Sequence, residues 1–495
     1  MESNSVDENP IDKPVPTDFA AYLPWACRQL QDKTEILINK WWNDVESYFS
    51  VVFCTRMLLP SDGLPILGKI CEYISARTSD RTKGKFKSKP KDISNVETVY
   101  EKSKSSFEID SLDNEMLKIT AVYDSNENLI EIKFEKNKQI PRNVLKIISL
   151  IVVYQKTLQT ITIDSGMDGY TLYEIGKFLK LSNITEMCLD DAFIGEANYD
   201  ILLKEETNLM HLSLARCKIN DKVLMTIANE LAYPQPASKS LSLLNLSSNV
   251  ITDVGAKCLS EVLRSNRQLH YLNLSSNMIT DEGAKELLNI LVEFPLNCDE
   301  VFASRARSIS YLKAKAQLVS KTLTELKSGD KRNIKRKSAR PVSTPRKFKT
   351  DKEGSLTTLL DMPLSLSLAE TDSLFLDKAE EIALKTLGPF RDPFSELETI
   401  RKDGILYCFG NNTLSYLNLA YNDLSCITIN KFIHVLVYQR LANRMPRGLI
   451  HLCVDGNFLP SAGKELIELQ HLLELALTSP FRTSVVKKLK PKLKA

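Results

Sequence analysis

One spacing of leucines recurs eight times along this chain, and nothing else in the sequence limits its fold as strongly. Its clearest copies are Leu241, Leu244, Leu246, Asn249, Ile251, Gly255, Leu259, Leu263 and Leu269, Leu272, Leu274, Asn277, Ile279, Gly283, Leu287, Leu291. They superimpose position for position, with Asn249 and Asn277 standing 28 residues apart. Self-similarity at such a period marks a chain built of stacked units.

Within a unit, Leu244 and Leu246 alternate as a short strand does and point to one face. Leu259 and Leu263 lie one helical turn apart and share a face as well. Each unit is therefore a strand and a helix with a common apolar side, which only neighbouring units can cover. A buried leucine contributes about 1.5–3 kcal/mol, so several units must stack before burial offsets the entropy of ordering them. The asparagine marks where the strand turns away, and its amide is suited to backbone groups left unpaired there. Gly255 and Gly283 allow a neighbouring element to come close.

Upstream, the frame fits Leu209, Leu212, Leu214, Cys217, Ile219, Ile227, Leu231, with cysteine in the asparagine slot. Weaker copies run through Ile184, Met187, Leu189, Ala192, Ile194, through Leu158, Ile161, Ile163, Gly166, and through Leu129, Ile132, Phe134, Asn137 with Ile147 and Ile151. Downstream come Leu414, Leu417, Leu419, Asn422, Leu424, Phe432, Leu436 and Leu449, Leu452, Val454, Asn457, Leu459, Gly463, Ile467.

The pattern resembles the ribonuclease-inhibitor-like leucine-rich repeats, whose units carry a full helix and accept Asn or Cys at the turn. The resemblance implies an α/β solenoid, a horseshoe with a parallel sheet on its concave face and helices on its convex face. On this reading residues 1–20 are a disordered start, 21–76 a helical region holding Trp25, Trp41 and Trp42, and 77–106 a basic linker. Repeats one to six occupy 107–296 and repeats seven and eight 406–475, with an insertion at 297–405 between them and a basic tail at 476–495. In the insertion, Ile309, Leu312, Val319, Leu323 and Leu326 are spaced for one amphipathic helix, and Phe375, Ala379 and Ile382 for a second, ending at Gly388-Pro389. Both helices are expected to dock on the solenoid flank. The basic stretch after Leu326 loses periodicity and is expected to be disordered; Ser338 and Thr344 within it are candidate phosphorylation sites.

The net charge of +3 hides a division. Residues 77–91 carry seven Lys or Arg against one acid, 327–352 eleven against two, and 481–495 six against none, so the repeats themselves are acidic. The start of the chain lacks the basic and apolar parts of a signal peptide, and no apolar stretch approaches the twenty residues that span a bilayer. The ten cysteines have no CxxC pair, and Cys188, Cys217, Cys258 and Cys453 fall at repeat positions. Free thiols, a reducing compartment and a cytoplasmic location are the expectation.

No phosphate-binding loop, HExxH or GxSxG spacing is present, so no enzyme, cofactor or metal site is expected. A protein partner bound on the concave sheet is. The residues read onto that face are an acidic group, Asp164, Glu186, Asp190 and Asp191, then His211 and Arg216, then Asn245, His270, Tyr271, Asn273, Tyr416, Asn418, Tyr421 and His451. His211, His270 and His451 are taken as surface contacts. The leading reading is a non-catalytic interaction scaffold; the alternatives are a regulator of a small GTPase, met through the acidic group, and contact with a polyanion or nucleic acid. The last would use Lys331, Arg332, Lys335, Arg336 and Lys337, where the shortage of aromatic residues argues against specific nucleic-acid readout.

Overall fold

A computed structural model of the chain describes residues 13–30, 34–42, 116–338, 368–459 and 463–478, the side chains of 328–338, 368–372 and 477–478 excepted. Two compact units result: Met1–Phe294 with Gly410–Ala495, and Pro295–Phe409.

In the larger unit the repeats build one ten-stranded sheet. Across it run Ile36–Trp42, Leu117–Tyr123, Leu129–Phe134, Thr160–Ile163, Glu186–Cys188, His211–Ser213, Leu243–Asn245, Tyr271–Asn273, Tyr416–Asn418 and His451–Cys453. All neighbours are parallel except Leu117–Tyr123 and Leu129–Phe134, which form a hairpin. Tyr271–Asn273 pairs directly with Tyr416–Asn418, so repeat seven stacks on repeat six although the insertion separates them in sequence. The middle residue of each short strand enters the core: Met187, Leu212, Leu244, Leu272 and Leu417 are all fully buried. Helices Arg142–Ile151, Gly169–Leu179, Asp221–Leu231, Asp253–Leu263, Asp281–Asn289 and Cys426–Ala442 follow their strands on the return path, and Lys464–Thr478 follows the last one. Four of them start on a recurring cap, since the side chains of Asn220, Thr252, Thr280 and Ser425 accept from the first-turn backbone.

Stacking is locked by the asparagine slot. Asn277 Oδ1 accepts from Ile251 N at 3.1 Å in the preceding repeat, while its Nδ2 donates to the carbonyls of Leu246 and Leu274 at 3.1 and 3.0 Å. Asn249 and Asn422 make the same bonds one repeat earlier and later. One buried amide thus satisfies groups in two adjacent units that neither could satisfy alone. A second device repeats beside it. Asp253 accepts from Thr280 N, Thr280 Oγ1 and Gly283 N, and a Cβ at Gly283 would meet its Oδ1 at 2.4 Å, which is why this slot holds glycine. Repeat seven fills the slot with Thr428, whose hydroxyl donates to Asp281 instead.

Where the slot lacks an amide, another group takes over. Burial pushes the Cys217 thiol up to about 12, and the protonated sulfur donates to Leu189 O. It leaves Ile194 N to be met by Tyr199 Oη at 3.2 Å, which in turn donates to Ala192 O at 3.0 Å. Tyr199 is fully buried. Tyr199→Phe is expected to lower stability by about 1–3 kcal/mol, the cost of a stranded buried donor, read from the shift in urea midpoint; an unchanged midpoint would show that the hydroxyl is dispensable.

Of the amino-terminal region expected to be helical, residues 31–33 and 43–76 lie outside the described residues; among the described ones Phe19–Gln29 is helical, with Phe19 and Leu23 fully buried and Gln155 Nε2 donating to Pro16 O and Thr17 O. Residues Ile36–Trp42 form a strand parallel to Leu117–Tyr123. The alternation in ILINKWW suits a sheet edge, and pairing satisfies backbone groups that the first repeat would leave open. Trp41 and Trp42 are consequently exposed on a strand and not packed in a helical bundle. The linker at 77–106 and the tail from 479 lie outside the described residues.

The smaller unit contains helices Cys298–Ser338 and Leu368–Leu387, packed on each other, and the antiparallel strands Thr399–Lys402 and Ile405–Cys408. The second helix buries Ala379 and Ala383, and Ile382 faces outward, so its inner stripe advances by four residues and not three. In the first, Ile309 and Leu312 are exposed while Tyr311 donates to Gly388 O at 2.8 Å and packs at a tilt of 41° against Phe390. The closing link is Asp392: burial works against its charge, yet bonds from Arg307, Phe394 N and Ser304 hold it below the usual carboxylate range. The backbone of Lys331, Arg332, Lys335, Arg336 and Lys337 lies in the last turns of the Cys298–Ser338 helix. Among the described residues no helix is long and apolar enough to cross a membrane.

Candidate binding face of the sheet

The first and third residues of each short strand flank its buried centre and point to the side away from the core. Strand register lines them into two rows. One reads Glu131, Thr160, Glu186, His211, Leu243, Tyr271, Tyr416, His451; the other Lys133, Thr162, Cys188, Ser213, Asn245, Asn273, Asn418, Cys453.

In the first row the rings stack. Tyr271 and Tyr416 lie 4.0 Å apart at 11°, and Tyr416 and His451 4.7 Å apart at 10°. The parallel register sets this spacing, because residues opposite each other sit one strand separation apart. Burial, helped by Tyr271 and Cys453, pushes the Tyr416 hydroxyl far up; burial likewise pushes His451 and His270 down. Tyr416, His270 and His451 are therefore uncharged at neutral pH, with Asp455 as a neighbouring carboxylate. Beside it, Asn245, Asn273 and Asn418 each turn Oδ1 to a backbone N–H two residues on, at 3.1, 3.0 and 2.9 Å. The amide row thus shapes the turns as well as the surface. His270 stands just outside the rows, its Nδ1 donating to Gln268 O at 2.6 Å.

At the other end the carboxylates are occupied within the protein. Glu186 Oε1 lies 3.0 Å from His211 Nδ1, both residues being buried. Asp190 accepts from Ser213 Oγ and Ala215 N, Asp164 from Lys136 N and Ser165 Oγ, and Asp191 takes Arg216 bidentately at 2.5 and 2.7 Å. His211 is therefore an interior residue and not the surface contact expected. Asp191, Arg216 and Tyr421 occupy one repeated turn position with φ of 67°, 58° and 55°, shared with Ser248 and Ser276. That conformation swings them off the rows. Tyr421 is exposed, lies against Gly456 and takes no part in the ring stack.

Sequence reasoning missed Leu243, Cys188 and Cys453 on this face. The signal was available, since Leu243 holds the slot of Tyr271 and Tyr416, but its apolar character suggested core. Among the described residues no group of His, Cys, Asp or Glu is placed to hold a metal ion.

A family model described as Leucine Rich repeat matches residues 237–260, 265–288 and 410–425, which fall on repeats five, six and seven. No curated protein matches the chain. The matched segments and the repeat-built parallel sheet agree that the chain carries leucine-rich repeats.

Proposed function

We propose that this protein is a non-catalytic scaffold that holds a protein partner on the open face of its sheet, at the end built by Leu243, Tyr271, Tyr416 and His451. The observation that carries this is the uncharged ring stack bordered by amides. Aromatic groups fixed in place by their neighbours lose little entropy on binding and are the residue types on which interface energy concentrates. The GTPase reading relied on Asp164, Glu186, Asp190 and Asp191, each of which already bonds a group of the chain itself, Asp191 through an exposed pair with Arg216, and it is the weaker of the two. The six repeats, long interruption and closing pair also resemble leucine-rich-repeat-containing protein 71. Basic segments 77–91, 327–352 and 481–495 would add attraction to an acidic partner surface, and the free thiols support a cytoplasmic setting.

The test is proximity labelling in cells followed by measured affinity for each purified candidate. Tyr416→Ala with His451→Ala is expected to weaken the true partner at least tenfold, with melting temperature within a few degrees of wild type. Equal affinity for a folded double variant refutes the site.

A further inference from the structure

An exposed aromatic and apolar patch lies on the helical side, over repeats one and two. Helix Arg142–Ile151 presents Arg142, Lys146 and Leu150 at successive four-residue steps, and helix Gly169–Leu179 presents Tyr170, Tyr173 and Lys177. Leu150, Tyr170 and Tyr173 are 67%, 63% and 46% exposed. The stripes are neighbours, because Arg142 lies 5.3 Å over the Tyr170 ring and bonds Glu174 at 2.7 Å. Lys177 reaches the same Glu174 at 3.3 Å and lies 4.2 Å over Tyr173. Glu174 is the one carboxylate on the two helices, and its side chain is buried beneath these contacts. With Arg142, Lys146 and Lys177 set against this one carboxylate, the surface keeps a net positive charge beside its aromatic and apolar groups.

We infer that this surface binds an acidic amphipathic segment of a partner protein. The charge decides the partner's sign, and the exposed leucine and tyrosines require apolar side chains facing them. Cations at helical spacing match Asp or Glu placed three and four residues apart on a partner helix. Three cations are too few for an anionic membrane, which recruits clusters of about 4–8, or for a nucleic acid, where about 6–10 phosphate contacts are usual. The surface is independent of the open sheet face, and each can fail without the other.

Random peptides displayed on phage and panned on the full chain supply the probe, with fluorescence polarisation of the enriched sequences as the measurement. The expected class carries acids at three- and four-residue spacing beside apolar residues. It binds at least tenfold more weakly to Tyr170→Ser/Tyr173→Ser and to Lys146→Glu/Leu150→Ser, all surface changes whose circular dichroism should match wild type. Tyr416→Ala leaves it unchanged. Enriched peptides without acids, or equal binding to both variants, overturn the inference. So does binding of phosphatidylserine vesicles, or of a synthetic peptide of the chain's own acidic residues 1–12, where no displayed peptide binds.

Discussion

Leu246→Asp is expected to leave the larger unit without a stable fold. Leu246 is fully buried and fills the third leucine slot of repeat five, in the middle of the array. Truncating such a side chain alone costs about 2–5 kcal/mol. A carboxyl group placed there also finds no partner, and burying a polar group unpaired costs roughly 1–3 kcal/mol more even when protonated. The sum rivals the whole stability of a domain, about 5–15 kcal/mol. Far-UV circular dichroism should show lost helix and strand at 25 °C, while Leu243→Met, three positions away and keeping the side chain's size and apolarity, stays within about 1.5 kcal/mol of wild type. A folded Leu246→Asp protein would mean that repeat five is peripheral to the core.

The contrast between these two leucines measures what the sequence made legible. Repeat spacing located the strands, the buried centre residues and the turns, because each is dictated by a local period that the stacking repeats amplify. It placed repeat seven beside repeat six despite the insertion, since Leu417 and Leu272 occupy the same slot. What it could not supply was cross-strand pairing. That Glu186 turns to His211, and Asp191 to Arg216, depends on which side chains register brings opposite, and an acidic composition looks the same whether its charges are free or spent. Tyr421 was misplaced for a related reason: a positive φ swings it off the ladder, and only the recurrence of that turn in Arg216, Ser248 and Ser276 reveals it. The amino-terminal strand escaped because ILINKWW has no repeat to be compared with, and its order comes from pairing with residues far along the chain.

The open sheet face and the helical face differ in a way that suits a scaffold. The ring stack sits over repeats six to eight and is uncharged, whereas the tyrosine and lysine stripes sit over repeats one and two and are positive. Because each repeat contacts only its neighbours, surfaces at opposite ends can change without disturbing one another. They remain linked through strand pairing and leucine packing all along the array and, from repeat five onward, through the asparagine slots as well, so those slots help to decide whether its later repeats behave as one cooperative body.

Asn422→Ala tests that cooperativity at its most consequential joint. Asn422 Oδ1 accepts from Ile279 N at 3.1 Å, and Nδ2 donates to Leu274 O, Leu419 O and Ala420 O at 3.0, 3.1 and 3.3 Å. Ile279 and Leu274 belong to repeat six and Leu419 and Ala420 to repeat seven, so this amide joins the two sides of the insertion. Alanine strands a buried N–H and weakens two or three buried carbonyls, for a loss of about 2–4 kcal/mol. In a linear array that loss falls on one interface and divides the unfolding transition. Amide exchange should therefore quicken in strands Tyr416–Asn418 and His451–Cys453 while Leu212 and Leu244 keep their protection. Asn277→Ala, with the same bonds but no insertion to bridge, should weaken the array without setting these two strands apart from Leu212 and Leu244. If Asn422→Ala speeds exchange evenly along the sheet, or shifts the midpoint by less than about 0.5 kcal/mol, the joint is held by leucine packing and not by the amide.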